Sequence, residues 1–387
     1  MKNYYKLERG HWLMKIAILC DHYPLSPRVI KIRNSILKLN KSTEIRIIAW
    51  NRNNDLVKEN FVDAISDDTG YGNQWRKLMN LTSFAYKTKK KIKSFQPDFI
   101  HAIDFEMLAI ASIYGKEPSI IYEVYDIKFF SNPIVNWIRA KLEKRILLKR
   151  VEGIVLASPF FKQYYENLLD GKLPETIVIN NKPTKAQALS INVSNNKFIK
   201  IDNKENDIII GFIGTVRYKD ILLNLINAAV KFNNIKVLIA GAGPDFDFIK
   251  NYVIESRIEN QIILTGRYDS NQIGEIYKLC DYVWAAYPSE DQNVKYAISN
   301  KFFEALVYSK RTIISQGTLL GDMVEKYGLG YTLNPYDFDA ITDIINILIQ
   351  DRQVIPSYEI SNNLPVWLKD LYWESEEGYI EKLYKGG

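Results

Sequence analysis

The stretch I-I-I-G-F-I-G-T-V-R-Y-K, residues 208–219, combines an apolar run, a glycine turn and two cationic side chains. The apolar run predicts a buried strand, and a helix is expected to begin directly afterwards at Asp220. In an open α/β sheet, ligands bind outside the carboxyl ends of the strands, where this turn would lie. Gly214 would let the backbone approach a ligand closely, and Arg217 and Lys219 would neutralise a phosphate. The alternative is an ordinary solvated turn, and this stretch alone does not separate the two.

The same alternation of short apolar runs with helical patterns extends along the whole chain of 387 residues. It predicts two α/β domains, each with a doubly wound parallel sheet covered by helices. The expected strands are Lys15–Leu19, Glu44–Trp50, Asp98–Ala102, Ser119–Glu123, Gly153–Ala157, Thr176–Ile179, Ile208–Ile213, Ile235–Ala240, Ile262–Thr265, Tyr282–Ala286 and Arg311–Ser315. We expect an N-terminal domain over residues 1–180, a linker over 181–207, a C-terminal domain over 208–355 and a helical tail over 356–387 that packs back on the body.

Composition and charge exclude several classes of protein. No window reaches the roughly 18 uninterrupted apolar residues that a membrane-spanning helix needs. Two cysteines and three histidines give no basis for a disulfide framework or a Cys/His metal centre, and they fit a reducing, cytoplasmic location. The first 190 residues carry 31 Lys and Arg against 19 Asp and Glu, a net charge of +12, whereas the remainder carries −6. This asymmetry indicates that the first domain meets an anionic surface or ligand, unless the charge is simply solvated.

A second glycine turn follows the expected strand Ile235–Ala240. Its sequence, G-A-G-P-D-F-D over residues 241–247, lacks the third glycine of a dinucleotide-binding fingerprint, so a tight strand-to-helix turn is the simpler interpretation. Asp245 and Asp247 have the D-x-D spacing of some metal sites. However, acidic residues in the first turn of a helix are expected from the helix dipole alone. We therefore predict no metal at this position.

The segment after the expected strand Tyr282–Ala286 is the most informative. A polar loop leads into S-N-K-F-F-E-A-L, residues 299–306, which predicts a helix that starts at a capping Ser or Asn. The start of such a helix offers backbone N–H groups and a positive dipole end to an anion, and Lys301 adds charge. Glu304 could accept hydrogen bonds from two adjacent hydroxyls of a ribose. It could equally be a capping-box glutamate that reaches back to the helix start.

Together these residues resemble the donor site of GT-B glycosyltransferases of the retaining, family-4 (glycosyl transferases group 1) type. That family's P-N-K-x-F-E-x-x-A-x-G pattern is similar to residues 299–309, with Ser299 in place of the proline and Ser309 in place of the glycine. Residues 26–29 (S-P-R-V) resemble the family's D-P-R-V. Residues 101–104 (H-A-I-D) resemble H-A-H-D, and residues 122–126 (Y-E-V-Y-D) resemble Y-D-x-H-E. Residues 211–219 resemble its phosphate-binding G-x-x-R…K turn, and the matches span most of residues 14–350.

The resemblance implies a GT-B fold, with two Rossmann-like domains facing a central cleft, and a hexosyl transfer from a UDP- or GDP-sugar to an acceptor hydroxyl. The implied catalytic residues are Asp126, Asp104, Arg217 and Lys219. The implied donor-binding residues are Gly214, Arg217, Lys219, Gly241, Arg267, Asn300, Lys301 and Glu304. The implied acceptor-side residues are Arg28, His101 and Tyr125. No metal or other cofactor is implied, because the cations and the helix start would supply the positive charge, and no nucleic acid is expected as a partner.

Two departures from the family pattern bear on the donor and on the stereochemical outcome. The family often has a second glutamate eight residues before the position of Glu304, and this chain has Tyr296 there. Tyr125 stands where many relatives have histidine. Two other functions therefore stay open: a nucleotide-sugar epimerase on the same scaffold, and a non-catalytic partner subunit. A dehydrogenase is disfavoured, because Cys20–Arg28 after the first strand contains no glycine.

The acceptor is expected to be a lipid-linked or polysaccharide precursor of bacterial cell-surface glycan synthesis. Two expected helices of the first domain are rich in cations: residues 87–93 (K-T-K-K-K-I-K) and Arg139–Arg150. A basic amphipathic helix can lie on an anionic membrane surface, which predicts a peripheral contact with the inner face of the cell membrane. For Arg139–Arg150, an ordinary helix with its apolar stripe in the core is an equally good interpretation.

Overall fold

Two compact units make up the chain in the computed structural model, which describes residues 14–70, 74–115, 117–189, 206–269, 272–354 and 364–384. The first unit comprises Met1–Asn180 and Glu376–Gly387, and the second comprises Asn181–Ser375. The chain therefore passes once into the second unit and returns to the first at its end.

A parallel sheet of seven strands forms the centre of the first unit in the residues that the structure describes. The strands are β1 (Lys15–Cys20), β2 (Glu44–Asn51), β3 (Val62–Ser66), β4 (Phe99–Ile103), β5 (Ser119–Val124), β6 (Val151–Leu156) and β7 (Glu175–Val178). Their order is β3-β2-β1-β4-β5-β6-β7, and every neighbouring pair is parallel. The helices of this part of the chain are α1 (Pro27–Leu39), α2 (Gln74–Phe95), α3 (Asp104–Ser112), α4 (Pro133–Arg150) and α5 (Phe161–Leu168).

The second unit has the same design with six parallel strands among its described residues. The elements are α6 (Lys185–Leu189), β8 (Ile208–Ile213), α7 (Lys219–Ala229), β9 (Ile235–Ala240), α8 (Phe246–Glu255), β10 (Ile262–Gly266), α9 (Ile273–Leu279), β11 (Tyr282–Ala285), α10 (Gln292–Tyr296), α11 (Asn300–Val307), β12 (Arg311–Ser315), α12 (Leu319–Tyr327), β13 (Gly330–Leu333) and α13 (Phe338–Val354). The strand order is β10-β9-β8-β11-β12-β13. Short 3-10 turns at Val366–Leu368 and Trp373–Ser375 follow, and α14 (Glu377–Tyr384) lies in the first unit, where it packs against α1.

Strand order fixes where a ligand can bind in each unit. In both sheets the order reverses next to the first strand, between β1 and β4 and between β8 and β11. At such a switch point the connections leave in opposite directions, which opens a crevice outside the carboxyl ends of the strands. The central strands are buried on both faces, as parallel sheets require. The fold class that the sequence predicts, two doubly wound parallel-sheet domains, is confirmed.

All eleven strands expected from the sequence are present. The described residues form two further strands that were not predicted. The missed strands, β3 and β13, lie at sheet edges and have only partly buried patterns. Their sequences, V-D-A-I-S and G-Y-T-L, contain polar residues or glycine, so they lack the continuous apolar run that marks the central strands. Helix α1 has Pro27 as its first residue, and the Ser26 hydroxyl caps it by accepting a hydrogen bond from the N–H of Val29.

The unit boundaries differ from the expected domain scheme at two places. Within the expected linker, Asn181–Leu189 belongs to the second unit, where the carbonyl of Pro183 accepts a 2.8 Å hydrogen bond from the N–H of Trp373. The described part of the expected tail is divided, because residues 364–375 belong to the second unit and α14 to the first. Residues 190–205 and 355–363, which complete the expected linker and the start of the tail, lie outside the described residues.

Candidate active site

Two glycine turns meet at the carboxyl ends of β8 and β9. Gly214 and Gly241 have φ angles of 130° and 139°, which side chains other than glycine rarely adopt. A Cβ on Gly241 would lie 1.8 Å from the carbonyl oxygen of Gly214, and one on Gly243 would lie 2.2 Å from that of Val216. Only glycine fits at Gly241 and Gly243, so both are required to bring the turns after β8 and β9 into backbone contact.

Lys301, the second residue of α11, brings a positive charge to this turn. A Cβ added to Gly214 would lie only 3.0 Å from the Lys301 Nζ, so the ammonium group sits directly against the glycine. The ammonium also donates a 2.6 Å hydrogen bond to the Tyr287 hydroxyl and lies 5.2 Å from the centre of the Phe212 ring. Because α11 begins at Asn300, its N–H groups add to the positive potential here. The arrangement is suited to a phosphate group.

The cationic loop between β8 and α7 is held by contacts on both sides. Arg217 and Lys219 are exposed, and Tyr218 between them has a left-handed backbone with φ of 65°. The Tyr218 ring lies 6.2 Å from that of Tyr287, and the carboxylate of Asp245 accepts a 3.0 Å hydrogen bond from the N–H of Lys219. Asp245 thus helps to shape the loop. The part of the chain that the structure describes contains no cluster of three or more His, Cys, Asp or Glu side chains suited to a metal.

Glu304 lies in α11 with its carboxylate surrounded by tyrosines. It is the fifth residue of this helix, two positions beyond the third position that a capping-box glutamate occupies. Its Oε2 accepts a 2.6 Å hydrogen bond from the Tyr277 hydroxyl. Burial, together with the charge of Glu304, raises the pKa of Tyr268 to about 12 and that of Tyr308 to about 12. The position of Glu304 therefore favours a binding role over the capping role.

The remaining donor-side candidates lie at the edges of this region. Arg267 is exposed and follows Gly266, the last residue of β10. Asn300 is exposed, and its side-chain oxygen accepts a 2.9 Å hydrogen bond from Asn181. Tyr296, which takes the place of the family's first glutamate, is the half-buried last residue of α10. The structure therefore brings Gly214, Gly241 and Lys301 into contact, whereas Arg267, Asn300 and Tyr296 stand further along the same edge of the sheet.

In the first unit, Arg28 and His101 are parts of a buried ionic network. Glu123, at 0% exposure, accepts a 2.9 Å hydrogen bond from the Nε of Arg28 and a 2.7 Å bond from the Nε2 of His101. The other ring nitrogen of His101 is hydrogen-bonded to Tyr384 of α14. Burial alone would raise the pKa of Glu123, but Arg28 and His101 outweigh it and lower this pKa below its ordinary value. His101, also at 0% exposure, is enclosed by this network and is not an exposed acceptor-side group.

Asp104 holds the loop that carries Tyr125 and Asp126. Its backbone is left-handed, with φ of 61°, and its Oδ1 accepts hydrogen bonds from the N–H groups of Tyr125 (2.8 Å) and Asp126 (3.2 Å). Burial raises the pKa of Asp104 well above its usual range, although Lys128, 3.9 Å away, opposes the shift. Asp126 is exposed. Asp104 is therefore placed to position the loop, and Asp126 to meet a substrate.

Tyr125 lies between this loop and the buried network. The guanidinium group of Arg28 stacks 5.2 Å from the centre of its ring. The Tyr125 hydroxyl is buried and has no hydrogen-bond partner among the described residues. Burial raises the pKa of this phenol well above its usual range, so the hydroxyl stays protonated and can donate.

Three charged residues near this loop were not predicted from the sequence. Lys77 pairs with Glu106 at 2.7 Å and lies 3.5 Å from Asp21. Burial opposes the charge on Lys128, but Asp104 and other carboxylates outweigh it and raise the pKa of Lys128. Asp21 and Lys128 each follow a strand, β1 and β5, that ends at the same sheet edge. Their position after a strand could have identified Asp21 and Lys128 from the sequence. No feature of the neighbouring sequence identifies Lys77, which lies in α2.

Comparisons with known proteins agree with this fold. Residues 193–363 match the family described as Glycosyl transferases group 1. Among solved structures, HepE from Anabaena, in complex with UDP and glucose, is 15% identical, with a TM-score of 0.67 over 95% of this chain and 98% of that one. Sucrose-phosphate synthase from Thermosynechococcus elongatus is 14% identical, with a TM-score of 0.62 over 96% and 95%. UDP-GlcNAc 2-epimerase from Methanocaldococcus jannaschii is 11% identical, with a TM-score of 0.62 over 96% and 100%.

The fold and the matched domain define the class of the protein. At these identities the solved structures establish the fold, and the family match establishes the type of domain. No curated protein sequence matches the chain significantly. The protein is a glycosyltransferase with the GT-B fold, and its residues 193–363 are similar to the Glycosyl transferases group 1 family. The predictions of fold, family resemblance and enzyme class are therefore confirmed.

Proposed function

We propose that the protein transfers a hexose from a UDP- or GDP-sugar to an acceptor hydroxyl. The observation that carries this proposal is the Lys301 ammonium group, which lies against Gly214 at the β8/β11 switch point and beside the start of α11. This arrangement suits a diphosphate, and the similar structure of HepE contains UDP and glucose. The test is a panel of UDP- and GDP-sugars scored by nucleotide release. A purified protein that releases no nucleotide from any of them would contradict the proposal.

The second unit would bind the donor and stabilise the leaving diphosphate. Lys301, Arg217 and Lys219 would neutralise the charge that develops on the phosphate oxygen as the glycosidic bond breaks, which is an electrostatic form of catalysis. Glu304 would accept hydrogen bonds from the ribose hydroxyls, while the Tyr277 hydroxyl holds its other side. Arg267, after β10, would lie near the base. Fixed positive groups of this kind need no reorganisation during the reaction.

The first unit would present the acceptor. Asp126 is exposed at the carboxyl end of β5, and Asp104 fixes the backbone of its loop. We assign Asp126 to orienting the acceptor hydroxyl or the transferred sugar, and Asp104 to positioning Asp126. A retaining outcome is part of the proposal. An NMR assignment of the anomeric configuration in the first product formed would check it, and an inverted product would contradict it.

A nucleotide-sugar epimerase is the second candidate, because an epimerase structure shares this fold at a TM-score of 0.62. The two activities differ in their products. A transferase releases a nucleoside diphosphate, whereas an epimerase can convert one nucleotide sugar into another that is still linked to its nucleotide. Chromatography of the nucleotide products from the donor panel therefore separates the two functions. A non-catalytic partner subunit would give neither product.

The acceptor is proposed to be a lipid-linked or polysaccharide precursor of bacterial cell-surface glycan synthesis, met at the inner face of the membrane. The support is the positive charge of the first unit. Helix α2 contains no acidic residue, and its side chains Lys87, Lys89, Lys90 and Lys93 are exposed. Lys91, by contrast, is paired with Asp63 at 2.9 Å. The contact that we propose is a peripheral one. None of the described helices has the length and hydropathy needed to cross a bilayer.

Replacing Glu304 by alanine should weaken nucleotide binding about 10- to 100-fold, since a hydrogen bond to a charged group contributes about 1.5–3 kcal/mol. Isothermal titration with UDP and GDP, and with the sugar nucleotide that the panel identifies, would measure the change. Glu255→Ala, at an exposed glutamate of the same unit, is the matched control. If Glu304→Ala lowers the melting temperature but leaves nucleotide affinity unchanged, Glu304 has a structural role only.

Donor turnover should be unchanged in excess EDTA, because we assign the neutralisation of the diphosphate to Arg217, Lys219 and Lys301. Initial rates of nucleotide release, measured before and after chelation, check this. A loss of turnover that is restored by adding Mn²⁺ or Mg²⁺ would show that a divalent cation shares this role, and the assignment would then be wrong.

A further inference from the structure

Helix α4 of the first unit turns apolar side chains outward and an ion pair inward. Arg139 and Glu143 are buried, form a salt bridge and lie toward the sheet. In contrast, Ile134, Trp137 and Ile138 are 68%, 57% and 53% exposed. A helix whose only role is to cover a core would bury its apolar side chains and expose its charged ones. The ordinary core-helix interpretation is therefore excluded for this part of the helix.

The inward ion pair is hydrogen-bonded to three tyrosines. The Glu143 carboxylate accepts 2.8 Å hydrogen bonds from the hydroxyls of Tyr122 and Tyr165, and Arg139 donates to the Tyr164 hydroxyl. Rotating α4 to bury its apolar face would break these contacts and leave the two buried phenols, whose oxygens are 3.5 Å apart, with only each other as a partner, at a cost. The exposed apolar face is thus a fixed feature of the folded unit.

The outward face of α4 combines apolar and cationic side chains in a defined order. At 100° per residue, the exposed side chains that follow Pro133 fall within an arc of about 160°. The apolar residues of this arc are Ile134, Val135, Trp137, Ile138, Leu142 and Leu148, and the cations are Lys141, Arg145 and Lys149. Most of the apolar residues occupy the first half of the helix, and most of the cations the second half.

No acidic side chain lies on this face, because Glu143 is the one acid of α4 and it is buried. The Lys141 ammonium group lies over the Trp137 ring, 3.8 Å from its centre, in a cation–π contact. An amphipathic ring with adjacent lysines is typical of side chains at a membrane–water interface. Anionic headgroups would neutralise the cations.

The topology extends this cationic surface to a second helix. The crossovers that contain α2 and α4 run in the same direction across the sheet, from β3 to β4 and from β5 to β6. Because such crossovers are right-handed, α2 and α4 cover the same face of the sheet. The exposed lysines of α2 therefore lie on the same side of the unit as Trp137.

A second copy of the chain fits this face poorly. In a two-fold symmetric dimer the same surface meets itself, so Lys141 and Arg145 would approach their own copies with no acidic side chain on the face to neutralise them. Like-charge contacts of this kind oppose association. A bilayer has the required opposite charge and an apolar interior, and it demands no matching shape.

We propose that α4 docks the first unit on an anionic bilayer. Trp137, Ile138 and Ile134 enter the boundary between headgroups and acyl chains, and Lys141, Arg145 and Lys149 contact the headgroups. The proposal rests on the peripheral membrane contact proposed above and identifies the element that makes it. It does not depend on the identity of the sugar or of the acceptor.

The test measures binding of the full-length protein to vesicles of phosphatidylglycerol mixed with phosphatidylcholine, and to pure phosphatidylcholine vesicles, by co-sedimentation at low salt. The Trp137→Ser/Ile138→Ser variant should bind the anionic vesicles about 100-fold more weakly, about tenfold for each large apolar side chain removed. The K141Q/R145Q/K149Q variant should lose about fivefold per cation, with the effect fading at high salt. Leu56→Ser/Ile254→Ser, at exposed apolar positions elsewhere, should bind like the wild type.

Donor hydrolysis by each variant should match the wild type, because all of the substituted residues lie outside the candidate site. This readout also separates the two proposals, since vesicle binding without donor hydrolysis contradicts only the proposed activity. Wild-type protein that does not bind anionic vesicles, or a Trp137→Ser/Ile138→Ser variant that binds as well as the wild type, would overturn the docking proposal. So would a wild-type dimer that becomes a monomer in this variant, because a second copy would then occupy the face.

Discussion

Replacing Lys301 by methionine is expected to lower kcat for donor turnover about 10²- to 10³-fold. Methionine keeps most of the volume of the lysine stem but removes the only charge that the structure shows directly against Gly214 among the described residues. Removal of one group that stabilises developing negative charge in a preorganised site typically has an effect of this size. Steady-state rates of nucleotide release, with the best donor of the panel, would measure it.

The control for this variant is Lys250→Met, at an exposed lysine of α8 in the same unit. It removes the same charge from the protein and should leave kcat within about twofold of the wild type. Lys301→Arg is a second comparison, since it retains the charge but adds bulk next to Gly214 and should recover part of the rate. A Lys301→Met enzyme with wild-type kcat would show that the diphosphate is neutralised elsewhere, with Arg217 and Lys219 as the remaining candidates.

Replacing Glu123 by alanine should destabilise the first unit by about 3–5 kcal/mol at neutral pH. Removal of one partner from a buried ion pair leaves the other charge without compensation, and this cost exceeds the net contribution of the intact pair. Here Arg28 would remain buried, and His101 would lose its Nε2 partner. Hydrogen exchange of the β4 and β5 amides, followed by mass spectrometry, reports the opening free energy of this unit separately from the second.

The effect of Glu123 should depend on pH in a defined direction. Its pKa is lower in the folded protein than the ordinary value of 4.5. Its stabilising contribution is therefore complete above about pH 4.5 and is lost as the pH falls through its folded-state pKa. Wild type and Glu123→Ala should accordingly become more similar in stability under acidic conditions.

Two less severe changes serve as controls for this network. Glu123→Gln keeps a hydrogen-bond acceptor for Arg28 and should cost less than Glu123→Ala. Tyr384→Phe removes only the hydroxyl that reaches His101 from α14, and we expect it to cost about 1 kcal/mol. A cost below about 1 kcal/mol for Glu123→Ala itself would show that water reaches Arg28 and that the pair is not isolated from solvent.

The class of fold and the glycine turns after β8 and β9 could be predicted from the sequence alone. Central parallel strands are buried on both faces, so β8 and β9 appear as continuous apolar runs that can be recognised without any knowledge of their neighbours. The glycines after these strands could be recognised in the same way, because each turn belongs to one short segment of the sequence. Lys301 and Glu304 also lie within one short segment, at the start of α11. The edge strands β3 and β13 were missed because their exposed sides carry polar residues or glycine.

The burial and the hydrogen-bond partners of the other candidates could be seen only in the folded structure. His101 and Arg28 resemble acceptor-side residues of the family, yet both are buried and hydrogen-bonded to Glu123. The second partner of His101, Tyr384 of α14, lies 283 residues further along the chain. Likewise, the sequence did not show which side of α4 faces the core. The hydrogen bonds that Glu143 accepts from Tyr122 and Tyr165 show it. The physical reason is the same in both cases. The partners of a buried charge come from elements that are distant in the sequence. These partners determine which side of a helix or strand faces the core, and the local sequence pattern does not show them.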